Sequence, residues 1–112
     1  MTRYLISFPA AAMAVPAAEL AEVGRAAHAV VEAAKAAGVY VFAGGIDAAV
    51  PPALITSDGN VVEGGYPWAL ALNGGYTVLE LPTHEEAIGW AARMATACRC
   101  NQELRAFFDP PA

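Results

Sequence analysis

The sequence predicts an α+β fold: two helices packed on one face of an antiparallel sheet. Three observations carry this expectation. Two segments place apolar residues at helical spacing, several short segments alternate with period two, and paired glycines and an Asp-Gly dipeptide punctuate them. The 112 residues suffice for a single domain, 1–112. At 57% hydrophobic and 15% charged, the composition supports a packed core and excludes a disordered chain. The 27 alanines favour helix but add little side-chain volume to a core.

Residues 3–8 read as the first strand, with Tyr4, Ile6 and Phe8 on one face and Leu5 and Ser7 on the other; Pro9 stops it. Residues 16–37 read as the long helix. Pro16 suits a first-turn position, Glu19 and Glu22 suit the positive helix end, and Gly38 is the expected left-handed stop. Its apolar stripe is Leu20, Val23, Ala27, Val30, Val31 and Ala34. Residues 39–43 form the second strand, in which Val39, Val41 and Ala43 alternate against Tyr40 and Phe42. Residues 54–56 and 61–62 flank Ser57-Asp58-Gly59-Asn60, a hairpin turn signal. Residues 76–81 form a further strand. Thr83 with Glu86 is a capping box that opens the second helix. The expected buried stripe of that helix is Ala87, Ile88, Ala91, Ala95 and Cys98, with Trp90 projecting outward beside Arg93 and Met94. Residues 103–108 make the last strand, and Asp109-Pro110-Pro111 closes the chain. Strand, helix, strand, hairpin, strand, helix, strand is the order of a ferredoxin-like plait with an inserted hairpin, the subunit of a dimeric α/β barrel.

Both faces of this sheet carry apolar residues, and the chain has no third helix to cover the second face. A homodimer, sheet against sheet, is therefore expected. A net charge of −5 leaves no basic patch for nucleic acid, so none is expected as a partner. No apolar run approaches the ~20 residues of a membrane-spanning helix, so no membrane partner is expected either. Residues 4–18 imitate a secretory signal, yet Pro9 and Pro16 interrupt the stretch and its start alternates as a strand. Cys98 and Cys100 are too close for an unstrained disulfide and lack partners for a zinc site; two reduced thiols suit a cytoplasmic location.

Residues 61–95 resemble the YCII-related domain family, specifically its DGPF branch. Gly74-Gly75-Tyr76, Glu86-Ala87-Ile88 and Trp90-Ala91 match that branch, and Glu63-Gly64-Gly65-Tyr66 occupies the place of its Asp-Gly-Pro-Phe box. Arg25, His28, Ala37-Gly38 and Ala43-Gly44 resemble the wider family's pattern upstream. The resemblance implies homodimers of ferredoxin-like subunits enclosing a small cavity, with a His and an Asp regarded as a catalytic pair. The chain departs from the branch in lacking the Pro and Phe of the box. Pro67-Trp68-Ala69-Leu70-Ala71-Leu72 also replaces the charged residues that often follow.

His28 is the sharpest candidate for chemistry. Arg25 and Glu32 lie on its side of the helix, so Glu32 can orient the ring and Arg25 can hold an anion. An imidazole that titrates near neutrality suits acid–base work. A solvated His28–Glu32 pair accounts for the same spacing without function. Asp47 and Glu63 are the candidate acidic partners, although Asp47 also reads as a turn former and Glu63 as a strand-end charge. Tyr66 and Trp68 are candidates to line a pocket or a dimer seam, or to pack in the core. No metal site, phosphate loop or nucleotide fingerprint is present, and no cofactor is expected. The expected function is binding or transforming a small organic molecule with His28 as the proton-transfer group. The alternative is a non-catalytic ligand sensor or protein-interaction module. A third reading, cofactorless oxygenation, rests on fold analogy alone.

Overall fold

Tyr4 and Ile6 alternate into the centre of the molecule, and the sheet is built around the strand that carries them. The computed structural model describes residues 1–109, so Pro110 and Pro111 of the expected closing turn lie outside the described residues. In chain order the elements are β1 (Thr2–Phe8), α1 (Leu20–Ala36), β2 (Tyr40–Gly45), β3 (Ala53–Ile55), β4 (Val61–Glu63), β5 (Gly75–Leu81), α2 (His84–Cys98) and β6 (Glu103–Ala106). Four strands form an antiparallel sheet in the order β2-β5-β1-β6, and β3 pairs with β4 alone. The sheet is open. No helix is long and apolar enough to cross a membrane among the described residues.

Period-two alternation decides which residues meet the helices. Tyr4 and Ile6 of β1 pair with Leu79 and Thr77 of β5, and all four are buried under α1 and α2. Leu5 and Val78, paired on the same two strands, point to the opposite, open face. In β2 the expected alternation is broken by a bulge at Val41. Tyr40 pairs with Leu79 but Phe42 with Val78, so two residues advance on β2 while one advances on β5. The bulge turns Phe42 to the open face, where simple alternation had it share a face with Tyr40. The last strand is shorter than expected and ends at Ala106; Phe107 and Phe108 follow it, both exposed. The open face is mixed in character. Phe42, Val78, Leu5 and Phe107 form an apolar band, flanked by the Arg3–Glu80 and Arg105–Glu103 ion pairs.

The helix ends follow the available caps. Residues 16–19 offer no hydroxyl or amide N-cap, and the long helix starts through a 3-10 turn, Ala17–Glu19. It ends at Gly38, whose φ of 75° is the left-handed stop. Thr83 caps α2, its hydroxyl accepting the Glu86 amide at 3.2 Å. The Glu86 carboxylate meets the Thr83 hydroxyl at 3.4 Å instead of reaching back to the Thr83 amide. No glycine ends α2, so Arg99 takes the left-handed position at φ 55°. Its guanidinium holds the Glu19 carboxylate at 2.6 Å and ties the end of α2 to the start of an antiparallel α1.

The buried stripe of α2 is Ala87, Ala91, Met94 and Cys98. Trp90 packs against the core, and Ile88 is exposed. This reverses the expected orientation of Trp90, Met94 and Ile88. Alanines on both flanks let the helix turn the bulk of Met94 and Trp90 to the sheet, where large side chains fill space that alanine leaves empty. The Arg93 guanidinium covers the outer ring face of Trp90 at 4.3 Å.

Residues 46–73 leave this body as an arm. Its root is closed by Ile46 N–H donating to Gly74 O (2.9 Å) and Ala10 N–H donating to the Asn73 side chain (3.0 Å). At the tip, Thr56 and Asn60 close a three-residue turn with Gly59 at φ 91°. The Thr56 hydroxyl and the Asn60 amide hold the Asp58 carboxyl below the usual carboxylate range. The radius of gyration is 15.6 Å, against about 13 Å for a compact domain of this length. The arm accounts for a shape extended to 48 × 42 × 20 Å.

Two glycine substitutions test this packing in opposite directions. A Cβ on Gly74 would lie 1.8 Å from the carbonyl oxygen of Phe8, so Gly74→Ala should cost about 1–3 kcal/mol or more. A Cβ on Gly89 in α2 meets open space, and Gly89→Ala should add about 0.5–1 kcal/mol. Urea unfolding followed by circular dichroism reads both.

Candidate functional site

A cleft of about 520 Å³ opens between α1 and the ends of β2 and β5. Gly24 and Ala27 on the helix, and Gly44, Gly45 and Gly75 on the strands, contribute almost no side chain to fill it. The apolar lining comes from Phe8, Met13, Leu20, Val31 and Met94. Six side chains add polar groups: His28 and Lys35 from α1, Tyr40, Tyr76 and Thr77 from the sheet, and Gln102 after α2. A mostly apolar hollow with a few converging polar groups is the usual form of a small-molecule site.

The polar groups sit at two levels. Thr77 is deep, with 7% of its surface exposed, and it is the one buried polar residue among the described residues. It occupies an inward position of β5 that its neighbours fill with Leu79 and Leu81. At the mouth, the Glu32 carboxylate gathers a histidine and a lysine from its own helix. Its Oε1 lies 3.3 Å from His28 Nε2 and 3.4 Å from Lys35 Nζ. The Lys35 ammonium also stands 5.1 Å from the Tyr40 ring centroid. The His28 side chain is 69% exposed, so this pair adds little stability. It does leave an imidazole with a carboxylate beside it at the edge of an apolar hollow, an arrangement able to pass a proton to a bound molecule.

The other candidate residues lie elsewhere. Arg25 is exposed on α1 and does not line the cleft. Asp47 sits in the turn after β2, where its carboxylate accepts the Ala49 amide at 2.9 Å. Glu63 is exposed at the end of β4. Tyr66 and Trp68 pack on each other in the arm, their rings tilted by 40° with centroids 4.9 Å apart. The cleft thus brings together His28, Lys35, Tyr40, Tyr76, Thr77 and Gln102; of these, only His28 is a candidate from sequence. Thr77 had a legible signal: a hydroxyl at an inward position in an otherwise apolar strand. Among the described residues, no group of three His, Cys, Asp or Glu side chains comes together to hold a metal ion.

Cys98 also lines the cleft, and burial pushes its thiol above the ordinary range. The Cys100 thiol is raised by burial too, in part offset by the Gln102 amide at 3.5 Å. A raised thiol holds less thiolate at neutral pH. Iodoacetamide at pH 7 should therefore modify Cys98 more slowly in the folded chain than in urea, as read by peptide mass spectrometry. Equal rates in both states would contradict the burial.

No family model matches the sequence, and no curated protein matches it either.

Proposed function

We propose that this chain is a ferredoxin-like plait of YCII-related type that works as a homodimer and holds a small organic molecule in the cleft under α1. The strand order β2-β5-β1-β6, with α1 joining β1 to β2 and α2 joining β5 to β6, supports the plait. The resembling motifs fall at the start of β5, Gly74-Gly75-Tyr76, and along α2, Glu86-Ala87-Ile88 and Trp90-Ala91. The apolar band on the open sheet face supports a second subunit.

The cleft is the observation that carries the functional reading. Its aromatic and aliphatic walls favour a compact apolar body, and Lys35 and His28 at the mouth favour an anionic or acceptor group at one end. A small aromatic carboxylate has both features. Where the bound molecule is transformed, His28 is the proton-transfer group and Glu32, 3.3 Å from its Nε2, is its partner in place of Asp47 or Glu63. The reaction calls on no cofactor in this reading. A second reading, a ligand sensor without turnover, is favoured by the wide exposure of His28.

A thermal-shift screen with benzoate, phenylacetate and related carboxylates tests the site. A ligand present at a hundred times its Kd should stabilise the fold by about 2.7 kcal/mol. The gain should vanish in Val31→Trp, which fills the cleft. A shift that survives this substitution, or no shift from any member of the series, would contradict the reading. For a molecule found to turn over, His28→Asn should keep binding and lose turnover; full activity in that variant would remove His28 from the chemistry.

A further inference from the structure

The chain exposes 7637 Å². A compact monomer of 11.6 kDa exposes roughly 5,800 Å², so the excess is on the order of 1,800 Å². Much of the apolar part of it lies in the arm. Leu70 is 87% exposed, Trp68 80% and Leu72 76%. In the hairpin itself, Ile55 pairs with Val61 on one face and Leu54 with Val62 on the other. Ile55, Val61 and Val62 are exposed. Apolar residues on both faces of a lone two-stranded hairpin leave it marginal in water, because neither face is covered.

The body carries a matching bare surface. On the open face of the main sheet, a hollow of about 520 Å³ is lined by Val41, Phe42, Val78, Phe107 and Phe108, with Arg3 at its edge. Arm and hollow are both apolar. A standard interface takes roughly 800 Å² from each partner, which the excess area of one chain can supply. The arm carries Asp47, Asp58 and Glu63 and no lysine or arginine, which disfavours an anionic membrane surface as its cover.

We propose that residues 46–73 form a clasp that packs on the open sheet face of a second copy, each copy's arm covering the other's hollow. Two-fold symmetry makes the exchange reciprocal: the contact of arm to sheet is made twice, once in each direction. The proposal rests on the homodimer reading above and adds to it the segment that holds the two copies together.

Sedimentation equilibrium of the full chain and two variants tests it. The wild-type chain should run at twice 11.6 kDa at micromolar concentration. Leu70→Asp combined with Leu72→Asp should raise the dimer Kd about a hundredfold with an unchanged circular dichroism spectrum. Phe42→Asp should weaken association likewise. In a Trp90→Phe background Trp68 is the sole tryptophan, and its emission should be blue-shifted at high concentration and move to that of free indole on dilution. This readout carries the test should the double variant fail to fold. A dimer whose Kd is untouched by the arm substitutions, with Trp68 emitting as exposed indole, would overturn the clasp and leave the sheet-face dimer standing. A monomer at every concentration would overturn clasp and dimer together, while ligand binding in the cleft is decided by its own titration. A monomer whose Trp68 shifts only on added phosphatidylcholine vesicles would also overturn the clasp, in favour of a lipid surface.

Discussion

The governing constraint is the mismatch between apolar surface and the means to bury it. Two helices cover one face of a four-stranded sheet, and they do so with side chains of little volume. Among the described residues, Ile6, Leu79 and Leu81 are the largest side chains that are fully buried. Tyr4, Val23, Met94, Cys98 and several alanines complete the core, and much of the remaining apolar surface is divided among the cleft beneath α1, the open sheet face and the arm. A chain with so many alanines makes helices readily but cannot use them to fill space. Its remaining apolar groups therefore face hollows and surfaces that call for some other cover.

The same shortage of volume leaves the cleft unfilled. Glycine and alanine on α1 face glycines at the ends of β2 and β5, and the layers do not close on each other there. What lines the gap is a mixture of aromatic and aliphatic side chains with one deep hydroxyl and a mouth where His28, Glu32 and Lys35 meet. The arm is anchored beside it. Gly44, Gly45 and Gly75 line the cleft, and the arm leaves after Gly45 and is closed at Gly74. At Gly74 a side chain is sterically forbidden by the Phe8 carbonyl. Paired glycines in this chain thus serve packing at a junction, where the body, the arm and the cleft share a boundary.

Much of the layout was legible from residues whose local physics has few alternatives. Period-two alternation in Tyr4, Ile6 and Phe8, the left-handed Gly38, and Thr83 with Glu86 each have one structural solution. What was not legible depends on tertiary choice. The bulge at Val41 moves Phe42 to the other face, and no local signal marks it. The rotation of α2 is underdetermined because alanine is acceptable on either side, and the sheet selects Met94 and Trp90 by their size. At the site, His28 was legible from its helical neighbours. Thr77 was legible as an inward hydroxyl, but its place in the same cleft as His28 was not, since that is set by how the layers stack. Asp47 and Glu63 are adjacent to the site in reasoning from sequence order, but the arm carries Glu63 away and a turn occupies Asp47.

Amide hydrogen exchange in β3 and β4 bears most directly on whether the surplus apolar surface is covered. With a second copy in place, the amides of Leu54 and Val62, the hydrogen-bonded pair of the hairpin, should be protected at high protein concentration and lose that protection on dilution, while Ile6 and Leu79 stay protected throughout. Exchange of the arm amides at the rate of an unstructured peptide at every concentration would mean that the hairpin stands bare in water, and would contradict the account.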